Sequence, residues 1–259
     1  MVNKKFSILI YFLSTVLVLV LSIFLYRIVT HIRYVNSHDK ITISKYTGEQ
    51  IASANSTKLA KIATFSNTNN KTSIVGLNSA DIVFEFLTKS NSITYKAIFN
   101  NESAKSIGAT INLKEYSNSY LPVFNFTNNI EKTYINNRKA TSIFINFNED
   151  ITSNFLYQDG EYYHYRGLGI DKDDNSPVKL SNVIVQFIHG NIISDKTLAL
   201  PDTTGTGLLF CNGKSQDIKW DRKKNSQMKI TDPKGSPVSL IPGPTWWVFI
   251  DRNSSVAYD

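Results

Sequence analysis

The stretch ADIVFEFLTKSNSITYKAIFN, residues 80–100, contains two runs of strand-forming residues separated by Ser90-Asn91-Ser92. β-Branched and aromatic side chains dominate both runs, and polar residues typical of turns lie between them, which predicts a β-hairpin. Because successive side chains of a strand point to opposite faces, the first run presents two different surfaces. One surface carries Ile82, Phe84 and Phe86, and the other carries Asp81, Val83, Glu85 and Leu87.

The charged face of this hairpin is the candidate ligand-binding site. A two-residue turn would place Lys96 beside Leu87 and diagonal to Glu85, within side-chain reach. A cross-strand ion pair is the simpler explanation of this pattern, and a binding site is the alternative. The candidate ligand-binding residues are Asp81, Glu85, Thr94 and Lys96, and no catalytic or metal-binding residue is predicted.

The rest of the body also favours strands. Ser103–Tyr116 could form a short helix, which Pro122 prevents from being long. An Asp159-Gly160 turn between aromatic-rich arms is a strong signal for a second hairpin. Further strands are predicted for Ala140–Phe147, Asn182–Gly190 and Pro242–Asp251. The sequence therefore predicts an α+β protein, with a single N-terminal transmembrane helix, a mixed α/β region and a β-rich C-terminal domain.

The segment Phe6–Tyr26 predicts a membrane span. It runs for roughly 20 residues without a charge, which is the length needed to cross a bilayer core of about 30 Å. A signal peptide has a shorter apolar region and ends at a small-residue cleavage site. Arg27-Ile28-Val29-Thr30-His31 follows here instead, and no cysteine follows that could carry a lipid. We therefore predict an uncleaved anchor.

The charges that flank the span leave its orientation nearly balanced. Lys4 and Lys5 precede it, and Arg27 and Arg33 follow it. A large domain behind an N-terminal span usually lies outside the cytoplasm, so we expect a single-pass protein of the cell membrane with an extracytoplasmic body. The predicted organisation is a cytoplasmic tail (1–5), a transmembrane anchor (6–29), a linker (30–57), an N-terminal α/β domain (58–140) and a C-terminal β-rich domain (141–259).

Composition excludes several classes of function. The formal net charge is +7, but four of the 28 basic residues lie within the first 33 residues, so the body is only weakly basic. No run of Lys and Arg is interleaved with aromatic residues, as nucleic-acid binding would require. Cys211 is the single cysteine, which excludes an intrachain disulfide and a cysteine-based zinc site. We predict no nucleic-acid partner and no cofactor.

The stretch GTGLLFCNGKS, residues 205–215, resembles a phosphate-binding loop at first sight. That motif requires Gly, four residues and then Gly-Lys-Ser or Gly-Lys-Thr. Leu208 occupies the position of the first glycine, and Gly207 is one residue too far away. Asn212-Gly213 is instead a favoured pair for a type I′ hairpin turn. No nucleotide partner is predicted.

Three other patterns indicate weaker candidates. His189 and Cys211 suggest a thiol enzyme such as the L,D-type envelope transpeptidases, in which a cysteine nucleophile needs a nearby histidine. Leu-Leu-Phe precedes Cys211 where those enzymes have small residues, which favours a buried structural thiol. The acidic run DKDDN, residues 171–175, lacks the glycine and distal glutamate of an EF-hand and predicts a solvated turn. His164 has no obvious partner among the neighbouring tyrosines.

Several of these stretches together resemble the YerB-like family, which comprises bacterial envelope proteins of unknown function that are often classed as lipoproteins. The N-terminal match is GLNSADIVFEFLTKSNSITYKAIF (Gly76–Phe99), followed by Ile107-Gly108. The C-terminal match comprises NVIVQ, Gly205-x-Gly207, Asn212-Gly213-Lys214, Trp220 and LIPGPTWWVFI. The resemblance implies an N-terminal α/β region and a β-rich C-terminal region outside the membrane.

The chain departs from the family pattern at polar positions. The Phe6–Tyr26 span replaces the lipobox, and Ala109-Thr110-Ile111-Asn112 stands where the family has a run of basic residues. Tyr95-Lys96 replaces an arginine, and Ile170 stands where a histidine is expected. These losses favour a binding or assembly role over catalysis. The bacterial setting of the family implies cell-wall or spore-envelope processes, with the membrane and an envelope protein or polymer as partners. The alternative is an enzyme acting on peptidoglycan or another carbohydrate polymer, with Asp81 and Glu85 as its acids.

Overall fold

A computed structural model of the chain describes residues 4–38, 41–53, 60–67, 74–100, 114–116, 123–129, 138–190, 203–222 and 227–259. One long α-helix precedes a body built mainly from β-strands. The predicted α+β class, with a single N-terminal apolar helix and a strand-rich body, is confirmed.

The N-terminal helix α1 spans Lys4–His38. An 18-residue stretch within its segment Ile10–Tyr34 has a mean hydropathy of 2.3, so the helix is long and apolar enough to cross a membrane. The hydroxyls of Ser14, Thr15 and Ser22 donate to backbone carbonyls one turn earlier at 2.8 or 2.9 Å. These polar groups are therefore satisfied within the helix itself.

The strands are short and numerous, and a 3₁₀ helix (Leu77–Ser79) precedes the fourth. The first eleven are β1 (Ile41–Ile43), β2 (Gln50–Ala52), β3 (Ala60–Asn67), β4 (Ile82–Leu87), β5 (Ile93–Phe99), β6 (Lys114–Tyr116), β7 (Asn125–Phe126), β8 (Arg138–Lys139), β9 (Ser142–Asn146), β10 (Thr152–Gln158) and β11 (Glu161–Arg166). The others are β12 (Gly169–Ile170), β13 (Lys172–Asp173), β14 (Ser176–Pro177), β15 (Lys179–Leu180), β16 (Asn182–Phe187), β17 (Thr204–Cys211), β18 (Lys214–Asp221), β19 (Lys229–Thr231), β20 (Ser239–Leu240), β21 (Thr245–Ile250) and β22 (Ser255–Tyr258).

The larger sheet has the order β19-β18-β17-β16-β21-β4-β5-β3-β6, and β8 also pairs with β18. Strand β21 is parallel to both of its neighbours, β16 and β4, and the other pairs in this sheet are antiparallel. All six residues of β21 are buried, as expected for a central strand that is covered on both faces. A strand from the end of the chain therefore joins strands from its beginning and its middle.

Two apolar cores lie on opposite faces of the larger sheet. The smaller sheet, ordered β12-β11-β10-β9-β22 with β15 also on β11, packs against one face. The second core forms on the other face, where Tyr46 and Phe124 are among the residues that cover the sheet. The adjacent residues Trp246 and Trp247 contribute to different cores, because neighbouring side chains of β21 point in opposite directions.

The predicted hairpins at the two glycine turns are confirmed. Asn212 and Gly213 have φ of 51° and 68°, and Asp159 and Gly160 have φ of 54° and 89°. Two consecutive positive φ angles are the mark of a type I′ turn, which matches the twist of the flanking strands. The first turn joins β17 to β18, so its Gly-Lys-Ser sequence belongs to a hairpin and not to a phosphate-binding loop.

Two predictions need correction where the described residues test them. Most of the predicted helix Ser103–Tyr116 lies outside the described residues, but its last three residues form strand β6, which pairs with β3. The predicted linker 30–57 is also more structured than expected. Residues 30–38 continue α1, and the ring of Tyr46 is 1% exposed because it packs in the second apolar core.

Candidate functional site

Strands β4 and β5 form the predicted hairpin in a different register from the one expected. Glu85 lies opposite Tyr95, and Phe84 lies opposite Lys96. Opposed residues of an antiparallel pair share a face of the sheet, so Lys96 and Glu85 are on different faces. The prediction that Lys96 lies beside Leu87 and near Glu85 is therefore wrong.

The length of the turn accounts for the difference. Residues 88–92 connect the paired ends of the strands, and the backbone N–H of Thr88 donates to the carbonyl of Ser92 at 2.9 Å. A two-residue turn would shift the pairing by an odd number of positions. Such a shift moves every side chain of one strand to the other face.

Thr94 and Lys96 consequently belong to the second apolar core. Thr94 lies opposite Phe86, and the Lys96 side chain is 2% exposed. Its Nζ lies 5.6 Å from the centroid of the Phe86 ring, within the range of a cation–π contact. These two candidates do not share a site with Asp81 and Glu85.

Glu85 lies between the two sheets and is 1% exposed. The hydroxyl of Ser153 donates to its Oε2 at 2.8 Å, and the indole N–H of Trp246 donates to the same oxygen at 2.7 Å. Burial raises the pKa of Glu85 above its ordinary value, although the charge of His164 and the two hydrogen bonds oppose this effect. No ligand can reach this carboxyl group in the structure described.

A histidine continues this network toward the surface. His164 Nε2 lies 2.9 Å from the hydroxyl of Ser153, and Nδ1 lies 2.9 Å from Asp171 Oδ2. Arg166 Nη2 lies 2.6 Å from Asp171 Oδ1. Burial alone would raise the pKa of Asp171, but its hydrogen bond and charge interaction with His164, together with Arg166, hold it below the ordinary value.

These contacts correct two predictions. His164 has partners on both ring nitrogens, so it is an organised residue in the interior. The acidic run 171–175 is not wholly solvated, because Asp171 is 1% exposed. The sequence signal that could have revealed the network is the alternation in β11, which brings Tyr162, His164 and Arg166 to one face.

The atoms of Ser153, His164 and Asp171 follow the order of a Ser–His–Asp catalytic triad. Their burial argues against that role, because none of the three is more than 1% exposed. The rings of Phe155 and Trp246 pack on the imidazole, with centroids 4.9 and 4.2 Å from that of His164. The hydroxyl of Ser153 lies between Glu85 and His164, at 2.8 and 2.9 Å, and faces no space that an external substrate could enter.

A polar cleft of about 640 Å³ opens beside Asp81. The carboxylates of Glu49, Asp81 and Glu161 line it together with Ser176 and Lys179. Lys179 Nζ lies 3.4 Å from Glu161 Oε2, which leaves an excess of negative groups along the walls. We call this cavity the Asp81 cleft.

Asp81 is the most perturbed of these acids. It is 8% exposed, and the backbone N–H of Asn100 donates to its Oδ2 at 2.5 Å. Burial raises the pKa of Asp81 to about 6; the Asn100 hydrogen bond opposes the rise, and the negative charge of Glu49 adds to it. A carboxyl group that titrates near neutral pH in a cleft is suited to bind a cation or to exchange a proton.

The wall of the cleft is held by contacts between distant parts of the chain. The carboxylate of Asp173 accepts hydrogen bonds from the backbone N–H groups of Gly76 and Asn78, both at 2.7 Å. The side chain of Asn78 in turn accepts one from the backbone N–H of Lys179 at 3.1 Å. The β13–β14 hairpin is thereby fixed against the 3₁₀ turn that leads to Asp81.

The structure separates the two residues of the thiol-enzyme hypothesis. Cys211 is fully buried in the second apolar core and pairs with Asn182 at the start of β16. His189 follows the other end of that strand, so roughly 20 Å of extended chain lies between them. Among the described residues, no group of three or more His, Cys, Asp or Glu side chains is arranged to hold a metal ion.

Comparisons with known proteins define the class to which this architecture belongs. The N-terminal domain model of a protein family of unknown function, DUF3048, matches residues 46–137, and its C-terminal domain model matches residues 143–247. The chain therefore belongs to the DUF3048 family, and the resemblance to the YerB-like family is confirmed.

A solved structure agrees with this membership. The crystal structure of the YerB protein from Bacillus subtilis is similar to this chain, with a TM-score of 0.62 and 13% sequence identity. The similarity covers 83% of this chain and 99% of the YerB chain. No curated protein matches the chain by sequence. At this level of identity the likeness establishes the fold alone.

Proposed function

We propose that this chain is a membrane-anchored protein of the bacterial cell envelope that binds a polar ligand in the Asp81 cleft. The cleft itself is the observation that carries the proposal. It combines a volume of about 640 Å³ with a carboxyl group whose pKa is raised to about 6. Concave sites with a few convergent polar groups and a perturbed acid are the usual places for ligands.

The apolar helix supports the proposed location. Ile10–Tyr34 is long enough to cross a bilayer, and the body that follows it is a large folded unit. Cys211 is the single cysteine and is buried, so the body contains no intrachain disulfide. In this arrangement the helix anchors the protein and the body lies outside the cytoplasm.

The charges of the cleft indicate the chemistry of its ligand. Three carboxylates and one lysine line the walls, so an amine or a hydroxyl-rich group fits better than an anion. Peptidoglycan carries both kinds of group and is abundant in the envelope. We propose a cell-wall polymer, or an envelope protein that presents a basic segment, as the partner.

A co-sedimentation assay with purified peptidoglycan tests the binding function. We expect the full-length protein in detergent to sediment with the polymer, and Ser176→Tyr, which adds a bulky ring to the lining of the cleft, to remain in the supernatant. Ser255→Ala, on the exposed edge strand β22, is the control and should bind like the wild type. Equal sedimentation of Ser176→Tyr and the wild type would contradict the proposed site.

Protease accessibility tests the orientation separately. Protease added to intact cells from which the wall has been removed should degrade the body and leave a short fragment containing α1. Complete protection of the body until the membrane is permeabilised would place it in the cytoplasm and rule out the envelope role.

A second candidate function is acid catalysis on a carbohydrate polymer. The specific observation is again Asp81, because an acid with a pKa of about 6 beside a second carboxylate resembles the pairing used in glycoside hydrolysis. Glu49, whose charge raises the pKa of Asp81, is the second carboxylate of this pair, since Glu85 is inaccessible. Release of reducing ends from peptidoglycan by the wild type, and its loss in Asp81→Asn, would establish this activity; no release by the wild type would exclude it for this polymer.

A further inference from the structure

Four side chains form a continuous series of hydrogen bonds across the interface of the two sheets. Glu85 belongs to the larger sheet, Ser153 and His164 belong to the smaller one, and Asp171 follows β12. Each is at most 1% exposed. We call this series the Glu85–Asp171 chain.

The hydrogen-bond donors of the Glu85–Asp171 chain can be arranged in two ways, which differ in the position of one proton. If the hydroxyl of Ser153 donates to Glu85, then Nε2 of His164 must donate to Ser153, and the imidazole carries two protons. If Glu85 is protonated, it donates to Ser153, the hydroxyl donates to Nε2, and the imidazole is neutral. The two arrangements contain the same number of protons and require no movement of heavy atoms.

One shared proton makes the net charge of the buried groups zero. With that proton present, the positive charges of Arg166 and the shared proton balance the negative charges of Glu85 and Asp171. Without it, an uncompensated negative charge remains buried, which is strongly unfavourable. Within the part of the chain that the structure describes, the other titratable group that faces the imidazole is Tyr95, whose ring centroid lies 6.3 Å away and whose phenol is ordinarily neutral below a pH of about 10.

We propose that the Glu85–Asp171 chain shares one proton between Glu85 and His164 and acts as a proton-dependent latch between the two sheets. While the proton is present, the buried charges balance and the sheets remain packed. When a rise in pH removes the proton, the excess buried charge weakens this part of the interface. The latch does not rest on the proposed ligand-binding function, because none of its four residues lines the Asp81 cleft.

Backbone contacts connect the latch to the wall of the Asp81 cleft. The N–H of His164 donates to the carbonyl of Val178 at 3.1 Å, and the N–H of Val178 donates to the carbonyl of Asp171 at 2.9 Å. Val178 lies between Pro177 and Lys179, which both line the cleft. Release of the latch therefore displaces this wall.

Nuclear magnetic resonance of the histidine rings tests the proposal on the full-length protein in detergent micelles. The ¹⁵N shifts of His164 report which ring nitrogens are protonated. In the wild type we expect shifts between those of the neutral and the doubly protonated ring, changing together with the side-chain carbon of Glu85 as the pH changes. In Glu85→Gln we expect the coupled change to disappear, because an amide has no carboxyl proton to share with the imidazole, and in Ser255→Ala we expect the wild-type behaviour.

A second measurement follows the latch through stability. In the Asp81→Asn background, which removes the other carboxyl group with a raised pKa, the urea midpoint should fall as the pH rises from 5 to 9. Adding Glu85→Gln should abolish that fall. If Glu85→Gln does not fold, Ser153→Ala replaces it in the resonance measurement, and the shifts of His164 should then no longer change together with the side-chain carbon of Glu85.

Three results would overturn the latch. They are His164 shifts in Glu85→Gln that match those of the wild type, a dependence of the urea midpoint on pH that Glu85→Gln does not alter, and labelling of Ser153 at neutral pH by a serine-reactive fluorophosphonate. The last result would mean that the hydroxyl is accessible and that the three residues form a working triad.

Discussion

At the residue scale, two nearby carboxyl groups have distinct environments. Asp81 precedes β4 and borders a cleft, whereas Glu85 lies within β4 between the sheets. The sequence pattern predicted that both acids share a face of the hairpin. It could not predict which one would be reachable, because that depends on strands β10 and β11, which lie far away along the chain.

Asp81 makes the stability of the protein depend on pH. Its pKa rises from 3.8 in the unfolded chain to about 6 in the folded protein, so its contribution is most favourable below pH 3.8 and is lost as the pH rises through 6. At pH 7.5 the cost is on the order of 2–3 kcal/mol. We expect Asp81→Asn to reduce the loss of stability between pH 4.5 and 7.5, measured by urea unfolding.

Asp217→Asn provides the control for that experiment. Asp217 is a half-exposed carboxylate in a surface ion pair with Arg138. Its replacement should leave the dependence on pH as in the wild type. An Asp81→Asn variant whose stability falls as steeply as that of the wild type would show that Asp81 is not perturbed by its surroundings.

Gly205 is a residue at which only glycine leaves room for a neighbouring aromatic ring. A Cβ at this position would lie 2.7 Å from the ring of Trp220, which is 2% exposed and donates from Nε1 to the carbonyl of Thr206 at 3.1 Å. We expect Gly205→Ala to lower the free energy of unfolding by about 1–3 kcal/mol, because the indole cannot move without disturbing the second core.

Gly169→Ala is the matched control for this substitution. The nearest atom to a Cβ there is the carbonyl oxygen of Arg166 at 3.7 Å, which is ordinary contact. The change should stay within about 0.5 kcal/mol of the wild type. If both alanine variants unfold at the same urea concentration, the close packing of Gly205 on Trp220 is not important for stability.

At the scale of elements, the β4–β5 hairpin shows how two paired strands can be predicted while the register of their pairing is not. The alternation of apolar and polar residues identifies both strands. Their register depends on the turn, and Ser90-Asn91-Ser92 allows turns of odd or even length. The five-residue connection places Thr94 and Lys96 on the second core, and two of the four candidate residues are thereby separated from the others.

The β13–β14 hairpin depends on Asp173 for its position. Replacement by alanine would remove the acceptor for the backbone N–H groups of Gly76 and Asn78. We expect Asp173→Ala to destabilise the protein by about 1–2 kcal/mol, as the loss of a helix cap does, and to accelerate hydrogen exchange at these two amides.

The neighbouring acid supplies the comparison. Asp174 has φ of 56°, a conformation that asparagine also tolerates, so Asp174→Asn should leave exchange at Gly76 and Asn78 unchanged. Faster exchange in Asp174→Asn and not in Asp173→Ala would mean that the carboxylate of Asp173 does not hold the 3₁₀ turn.

At the scale of the whole molecule, β21 unites the parts that the two family models match separately. It lies between β4, from residues 46–137, and β16, from residues 143–247. Local patterns predict each of these strands, but no local pattern states that a strand near the C-terminus pairs with β4. The Glu85–Asp171 chain was unpredictable for the same reason, since Ser153 and Glu85 are 68 positions apart.

Removal of β21 should therefore unfold the body. A chain that ends at Pro242 would leave β4 and β16 without their shared neighbour and would expose both apolar cores. We expect this chain to lose cooperative unfolding and to be degraded rapidly by protease. A chain that ends at Ser254 lacks only the edge strand β22 and should fold with reduced stability. Cooperative unfolding of the shorter chain would show that the N-terminal part is an independent domain.

The position of β21 also has a consequence for biosynthesis. Strand β4 leaves the ribosome long before the segment that must pair with it, and 161 positions separate the partners Glu85 and Trp246. At a synthesis rate of about 5–20 residues per second, the edge of β4 waits for roughly 10–30 s. During that interval the apolar edge of β4 has no partner from β21, so the larger sheet cannot be completed until nearly all of these residues have been synthesised.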